Sequence, residues 1–258
     1  MKIVAFDIDG TVLFEDGIAP DVVAAIRDWQ AAGHLAVAAT GKSRSALDHA
    51  LRPYDLRFDY DVIYTGAVLA DARGDTLSAA TLPVDLVRRI ITELLDVPGI
   101  VVFATMLGER DALFSDLPHG AADTTIIRDF VHMDINDITD DHQFVGIPLW
   151  VLDGARSQHA LVARLAEDFP EVDVMPNQMF IDLLPTGVSK GAGLGQLISH
   201  LGMERTEVTL HTFGDSWNDL SMHAIADRSY AFPWSPDEVM DAADEVIESV
   251  APVLRRLA

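Results

Sequence analysis

The sequence predicts an α/β fold in which a doubly wound, mostly parallel sheet carries an inserted α+β domain. Three observations lead to this fold class. Short apolar strands alternate with amphipathic helices at both ends of the chain. Roughly one hundred residues without this regular alternation separate the two ends. Polar side chains follow several of the strands. Strands that alternate with helices favour a parallel sheet with helices on both faces.

The first part of the chain supplies the clearest alternation. Lys2–Phe6 is a short, β-branched, apolar run that suits a buried parallel strand. A helix is predicted from Pro20 to about Ala32, because proline suits a first turn and the apolar residues recur on one face. The further elements predicted here are a strand at Leu35–Ala39, a helix at Ser43–Leu51, a strand at Asp61–Tyr64, and a hairpin of Val68–Ala70 with Thr76–Ala79.

The texture changes beyond Pro83. Helix-like and strand-like runs mix there, and Glu109–Asp141 is strongly acidic with little regular periodicity. We therefore expect a separate α+β domain at residues 83–185, inserted into a core made of residues 1–82 and 186–258. The predicted elements of the insert are helices at Val84–Leu95 and Gln158–Asp168, and strands at Ile100–Ala104, Pro148–Leu152 and Met179–Leu183.

Strands and helices alternate again after the insert. This return of the first pattern predicts that both ends of the chain build one sheet. The elements predicted are helices at Ser189–Leu201, Trp217–Ala226 and Ser249–Leu257, and strands at Val208–Phe213 and Ser229–Phe232.

The formal charge of −23, from 41 acidic and 18 basic residues, limits the partners. Such a surface repels polyanions, so we expect no nucleic acid and no anionic membrane as a partner. A small phosphorylated metabolite stays compatible, because a bound divalent cation reverses the field in one pocket. A saline habitat accounts for the charge equally well. There is no cysteine, no apolar run of membrane-spanning length and no secretory leader pattern, so we expect a cytoplasmic protein.

Polar side chains follow three of the predicted strands. Asp7 and Asp9 come after the first strand, Thr40 after the second, and Asp215 after the strand at Val208–Phe213. Lys190 begins the helix that re-enters the core. In open parallel sheets ligands bind beyond the carboxyl ends of the strands. We therefore expect these side chains to converge on one crevice.

Asp7-Ile8-Asp9-Gly10-Thr11 is compatible with a plain turn, because Asp-Gly is common in turns. Its two carboxylates also suit phosphoryl transfer. One carboxylate can attack phosphorus and form an acyl phosphate, while a second protonates the leaving oxygen and later deprotonates water. Mg²⁺ prefers oxygen ligands, which Asp7, the backbone carbonyl of Asp9, and Asp215 would supply.

The other motifs also have two interpretations each. Asp215-Ser216-Trp217-Asn218-Asp219 either caps a helix or adds metal-binding carboxylates. Thr40-Gly41 is either an ordinary turn or a hydroxyl with backbone N–H groups that hold phosphate oxygens. Lys190, one of three lysines, is either a solvated helix end or a cation that offsets the carboxylates. The nine histidines show no metal-ligand spacing.

Taken together, the motifs resemble the haloacid dehalogenase-like hydrolase superfamily, in particular the Cof-like phosphatases with a class IIB cap. The resemblance covers essentially the whole chain, is weakest in the insert, and includes the order of the motifs. They are Asp7-Ile8-Asp9-Gly10-Thr11, Thr40-Gly41, Gly187-Val188-Ser189-Lys190-Gly191 and Gly214-Asp215-Ser216-Trp217-Asn218-Asp219.

The resemblance implies a Mg²⁺-dependent phosphatase that acts on a small phosphomonoester, such as a sugar phosphate. It implies a cap that closes over the crevice and selects the leaving group. The resemblance implies that Asp7 is the nucleophile and Asp9 the general acid/base. It implies that Thr40, Gly41 and Lys190 bind the phosphoryl group and that Asn218 helps to position Lys190 or phosphate. The implied metal site comprises Asp7, Asp9, Asp215 and Asp219, with Asp219 behind the direct ligands or bound to the metal through water.

Three positions depart from the family pattern. Lys42 stands where arginine often follows Thr-Gly, Thr65 stands where asparagine commonly precedes Gly-Ala, and Pro233-Trp234-Ser235 replaces a Gly-Asn-Ala run. These three departures affect the expected choice of substrate more than the expected reaction mechanism. Two alternative functions fit the same motifs: a phosphomutase of the phosphomannomutase type, and a non-catalytic binding protein on this fold.

Overall fold

The computed structural model describes residues 1–108, 110–118, 130–152 and 155–257. The strands are β1 (Lys2–Phe6), β2 (Leu35–Ala39), β3 (Tyr60–Ile63), β4 (Val68–Asp71), β5 (Thr76–Ala79), β6 (Ile100–Met106), β7 (Asp111–Leu113), β8 (Phe130–His132), β9 (Phe144–Val151), β10 (Val172–Asn177), β11 (Phe180–Pro185), β12 (Thr209–Phe213), β13 (Arg228–Ala231) and β14 (Glu245–Val246). The helices are α1 (Pro20–Ala31), α2 (Arg44–Leu51), α3 (Val84–Leu94), α4 (Ala155–Asp168), α5 (Lys190–His200), α6 (Leu220–His223), α7 (Asp237–Ala242) and α8 (Val250–Leu257).

The chain divides into two compact units. The first contains residues 1–41, 48–78 and 189–258, and the second contains residues 42–47 and 79–188. Both ends of the chain therefore build one unit, and most of the second unit is a single insert. The expected domain bounds, at residues 82/83 and 185/186, stay a prediction.

The first unit is organised around an eight-stranded sheet in the order β14-β13-β12-β1-β2-β3-β4-β5. The strands from β14 to β3 run parallel, and β4 is antiparallel to β3. From β1 the chain adds β2 and β3 on one side, and β12, β13 and β14 on the other. The sheet is thus doubly wound and mostly parallel, so the predicted fold class is confirmed.

The apolar residues of this unit explain its layers. Residues 3–6 of β1 are completely buried, as a central strand covered on both faces requires. α1 buries the face that contains Val23, Ile26 and Trp29. The indole N–H of Trp29 donates to the carbonyl oxygen of Leu35 at 2.9 Å, which satisfies its polar atom inside the core.

The second unit contains a six-stranded sheet in the order β10-β11-β9-β6-β7-β8. Its strands pair antiparallel except for β7 with β8, which are parallel. Apolar residues of α3 and α4, among them Ile90 and Leu165, pack in one cluster with strand residues such as Ile147. This mixed arrangement is the α+β texture that the sequence predicted for the insert.

Most predicted elements are confirmed within a few residues, and one helix is partly wrong. The helix expected at Trp217–Ala226 is a 3₁₀ turn at Trp217–Asp219 followed by α6, which ends at His223. The pattern also missed β7, β8, β10, β14 and α7. Residues 109 and 119–129 of the acidic stretch lie outside the described residues. Among the described helices, none combines the length and the apolar composition needed to cross a lipid bilayer.

We expect salt to stabilise the protein. At a net charge of −23 the folded chain repels itself, and ions screen this repulsion. Exposed ion pairs such as Arg89–Glu171 are screened as well, but pairs of this kind contribute little. Raising NaCl from about 0.01 M to about 0.5 M should therefore raise the thermal midpoint, measured by circular dichroism. A midpoint that falls with salt would mean that attractive ion pairs outweigh the repulsion.

Candidate active site

The site lies where β1 and β12 end side by side in the sheet. The two strands pair in parallel from Lys2 with Thr209 to Phe6 with Phe213. The backbone N–H of Asp7 then donates to the carbonyl oxygen of Phe213 at 2.8 Å. Because the order of strand addition reverses between these strands, this is the position at which open α/β sheets leave a crevice for ligands.

A buried lysine joins two carboxylates at this point. The Nζ atom of Lys190 donates to Oδ1 of Asp7 at 2.8 Å and to Oδ1 of Asp219 at 2.6 Å. The side chains of Lys190 and Asp219 are completely buried, and Asp7 is nearly so. Charged groups removed from water in this way are stable only when they are paired.

Local capping determines where Lys190 lies. Ser189 is the N-cap of α5, and its Oγ accepts a hydrogen bond from the backbone N–H of Ala192 at 3.1 Å. Lys190 is therefore the first residue of the helix, where the helix dipole disfavours a cation. Burial alone would lower the pKa of Lys190, but the charges of Asp219 and Asp7 raise it above its ordinary value. The lysine is thus held as a cation by its two partners.

Asp215 lies against the loop that follows β1. The hydroxyl of Thr11 donates to Oδ1 of Asp215 at 3.2 Å. Gly10 has a φ of 76°, and a Cβ atom at Gly10 would lie 2.5 Å from Oδ2 of Asp215. Only glycine combines that backbone conformation with so close an approach. The backbone of Gly10, between Asp9 and Thr11, therefore packs directly against the side chain of Asp215.

The structure gathers three carboxylates into one cluster. Ligand oxygens of Asp7, Asp215 and Asp219 all lie within 4.8 Å of one another. Burial raises the pKa of Asp7 to about 6, although Lys190 opposes the shift. Burial also raises the pKa of Asp215 to about 8, and the charges of Asp7 and Asp219 act in the same direction. Three carboxylates face one ammonium, so the donor set fits a divalent cation.

Asp219 is engaged on both of its oxygens. Oδ1 accepts from Lys190, and Oδ2 accepts from the backbone N–H of Ser216 at 2.9 Å. Ser216 and Asp219 form a capping box around the 3₁₀ turn. The Ser-x-x-Asp spacing is the signal that predicts this reciprocal bond from sequence. Asp219 is therefore oriented toward Lys190, while Asp7 and Asp215 are better disposed to bind a cation directly.

The remaining predicted residues lie around this cluster. Thr40 follows β2 at the same sheet edge as Asp7, since Phe6 pairs with Ala38, and Gly41 comes directly after it. Asn218 is buried, and its Oδ1 has no hydrogen-bond partner among the residues that the structure describes. Asp9 is half-buried, and its side chain is not part of the carboxylate cluster.

A left-handed segment beside the site was not predicted from the sequence. Tyr64, Thr65 and Gly66 have φ values of 52°, 54° and 101°. This conformation is strained for Tyr64 and for the β-branched Thr65. The backbone N–H of Thr65 donates to the carbonyl oxygen of Thr40 at 3.0 Å. A Cβ atom at Gly66 would overlap the carbonyl oxygen of Ser189. The segment thus connects the end of β2 with the start of α5.

A family model described as haloacid dehalogenase-like hydrolase matches residues 4–252. Two curated relatives are similar to this chain over nearly its whole length. A Streptococcus pyogenes protein, whose name assigns it phosphatase and peptidyl-prolyl cis-trans isomerase activities, is 29% identical over 255 residues. These residues are 97% of this chain but only 51% of that relative, so the chain spans about half of its length. YkrA of Bacillus subtilis, whose name assigns it to the phosphatases, is 25% identical over 96% of this chain and 93% of its own.

Solved structures share the fold across the whole chain. A haloacid dehalogenase-like hydrolase from B. subtilis superposes with a TM-score of 0.85 at 18% identity and covers 100% of both chains. A sugar phosphatase of haloacid dehalogenase subclass IIB superposes with a TM-score of 0.81 at 18% identity, over 100% of this chain and 99% of its own. At this identity the likeness concerns the fold.

We expect Gly66→Ala to destabilise the protein more than Gly33→Ala. Both glycines have positive φ, but a Cβ atom at Gly33 meets nothing within 4 Å. Gly33→Ala should lower the free energy of unfolding by about 1 kcal/mol, the strain of a left-handed residue. Gly66→Ala should lower it by about 3 kcal/mol or more, because α5 must also move. Urea unfolding measures both, and equal losses would contradict the close packing of Gly66 on Ser189.

We expect the metal-free protein to lose stability as the pH rises. The folded-state pKa values of Asp7 and Asp215, about 6 and about 8, lie above the ordinary aspartate value of 3.8. Their contribution is therefore fully present below about pH 4 and is lost as the pH rises through the folded-state values. Thermal midpoints in EDTA measure this contribution. Asp215→Asn should flatten the profile between pH 6 and pH 8, and an unchanged slope would contradict the raised pKa.

Proposed function

The chain belongs to the haloacid dehalogenase-like hydrolase family, and we propose that it is a phosphatase that hydrolyses a small phosphomonoester through a phosphoaspartate on Asp7. The observation that carries the proposal is the buried Lys190, bonded to Asp7 and Asp219 beside Asp215. A structural ion pair needs only one carboxylate, whereas this cluster holds excess negative charge at the carboxyl ends of the strands.

Asp7 acts as the nucleophile in the first step. One of its carboxylate oxygens forms a bond to phosphorus, while the bond from phosphorus to the leaving oxygen breaks. Asp9, two residues further on, gives its proton to that oxygen, so that the product leaves as an alcohol. Lys190 holds the Asp7 carboxylate in place and contributes positive charge toward the phosphoryl oxygens.

In the second step, water hydrolyses the phosphoaspartate. Asp9 accepts a proton from water, the water oxygen bonds to phosphorus, and the bond between phosphorus and Asp7 breaks. Asp7, Asp215 and the backbone carbonyl of Asp9 would hold a divalent cation, for which we propose Mg²⁺, and Asp219 would reach it through water. When bound, this cation neutralises charge on the carboxylates and on the phosphoryl group. The enzyme then returns to its starting state with inorganic phosphate released.

The rest of the phosphoryl group is bound by neutral donors around the cluster. We assign this role to the hydroxyl of Thr40, the backbone N–H of Gly41 and the amide N–H of Asn218, which act beside the Lys190 cation. The unsatisfied Oδ1 of Asn218 is an acceptor, so it does not itself bind a phosphoryl oxygen; it calls for a donor such as water or a substrate hydroxyl, while the amide N–H of Asn218 is the group that can donate to phosphate.

The insert at residues 83–185 is proposed to be the cap that selects the leaving group. The likeness to a subclass IIB sugar phosphatase favours a sugar phosphate as the substrate class. Because the net charge is −23, nucleic acids and anionic membrane surfaces are unfavourable partners. A cytoplasmic location belongs to the same proposal.

The nucleophile is tested with Asp7→Asn and a generic aryl phosphate. We expect phosphate release that requires Mg²⁺ and that falls by about three orders of magnitude or more in the variant, because an amide cannot form the acyl phosphate. Asp75→Asn is the matched control: it removes the same charge from an exposed loop and should keep full activity. Malachite green detection of phosphate measures all three proteins with and without Mg²⁺.

Two outcomes would contradict the proposal. Activity that survives Asp7→Asn, or that persists in EDTA, would rule out the phosphoaspartate route with a divalent cation. Transfer of the phosphoryl group to a second hydroxyl of a sugar phosphate, without release of phosphate, would identify a phosphomutase instead. Nuclear magnetic resonance of ³¹P distinguishes transfer from hydrolysis in one sample.

A further inference from the structure

A tryptophan from the far end of the sequence is bonded to the loop that contains the proposed acid/base. The indole Nε1–H of Trp234 donates to the backbone carbonyl oxygen of Gly10 at 2.8 Å. Trp234 follows β13, and its side chain remains 47% exposed. About half of this large aromatic residue is therefore covered, and its hydrogen bond and ring contacts account for where it lies.

The indole is held by two aromatic rings and by the turn that carries it. It stacks on the buried ring of Phe232 at 4.9 Å between centroids and 15° between planes. The ring of Phe14 meets it edge-on at 5.4 Å and 85°. Ser235 closes the turn, with its N–H donating to the Phe232 carbonyl at 3.0 Å and its Oγ accepting from the Phe232 N–H at 3.1 Å. The donor therefore has a defined position.

The acceptor belongs to a tight loop in which the backbone N–H groups of Thr11, Val12 and Leu13 all donate to the carbonyl oxygen of Ile8. The Gly10 N–H donates to the carbonyl oxygen of Leu13 at 2.9 Å, and the Leu13 N–H donates to the carbonyl oxygen of Ile8 at 2.8 Å. Gly10 itself is conformationally permissive, and its φ of 76° is one of many it can adopt. Asp215 lies against Gly10, and Trp234 binds its carbonyl oxygen. The tryptophan thus restricts the residue between Asp9 and Thr11.

We propose that Trp234 is a positioning residue whose indole N–H, by holding the Gly10 carbonyl, fixes Asp9 for proton transfer and Thr11 against Asp215. The inference rests on the proposed function, since it assigns Asp9 its role. Loss of the bond lets the peptide at Gly10 rotate, and small displacements of a catalytic group reduce the rate of a step. Phosphoryl binding through Lys190 and Thr40 does not involve this bond. The effect therefore falls on kcat rather than on KM.

The experiment is Trp234→Phe, which keeps a ring for Phe14 and Phe232 but removes the N–H. The control is Ser78→Ala, which deletes one exposed side-chain hydrogen bond, from Oγ of Ser78 to Oε1 of Gln196 at 2.9 Å, on the edge strand β5. With an aryl phosphate and saturating Mg²⁺, we expect Trp234→Phe to lower kcat about five- to tenfold, the loss of one hydrogen bond, with KM changed less than about twofold. The control should change neither.

Hydrogen exchange of the peptide that covers residues 8–14 provides a second readout that needs no activity. In Trp234→Phe this peptide should exchange several-fold faster, while Ser78→Ala should match the wild type. Unchanged exchange in Trp234→Phe overturns the inference even if kcat falls, because the fall in kcat then does not arise from a loosened loop. Faster exchange with wild-type kcat overturns the positioning role. A wild type that releases no phosphate contradicts the proposed function alone, and exchange still decides whether Trp234 holds the loop.

Discussion

Lys190 is a cation without access to water, and two other segments of the chain are arranged around its charge. Asp7 reaches it from the end of β1, and Asp219 reaches it from the turn after β12. Removing the lysine would leave two buried carboxylates uncompensated, and such a deletion is strongly destabilising. The same charge that supports the fold also limits how many carboxylates the site can hold ionised without a cation. Stability and the proposed chemistry therefore depend on one ammonium group.

Close backbone packing is what allows Lys190 to occupy its place. A Cβ atom at Gly191 would overlap the backbone carbonyl of Ser221, and one at Gly66 would overlap that of Ser189. α5 can approach its neighbours only because these positions lack side chains. Gly214 contributes in the same way, since a Cβ atom there would overlap the side chain of Asp219. The glycines of the motifs thus have a steric purpose that complements the acidic residues.

Much of the fold and of the site was predictable because the signals are local. The apolar run of β1 and the N-cap Ser189 define elements from a few neighbouring residues, and the rule for strand ends then places Asp7 and Asp215 together. The strand β10 was missed because it lies at the edge of its sheet and contains Asp173 and Pro176, residues typical of loops. The left-handed Thr65 follows from its tertiary neighbours, which no local pattern encodes. The proposed roles of the site residues stay predictions.

The pairing of β1 with β12 also affects how the protein folds during synthesis. β1 is made well before Thr209–Phe213, the partner on one of its sides. During synthesis the apolar β1 therefore has an open edge for as long as the intervening chain is being added, and such an edge can pair with other chains. Contacts between residues so distant in sequence also form slowly. A ribosome-bound chain therefore contains Asp7, the proposed nucleophile, well before its pocket can assemble, because residues 209–213 must emerge first.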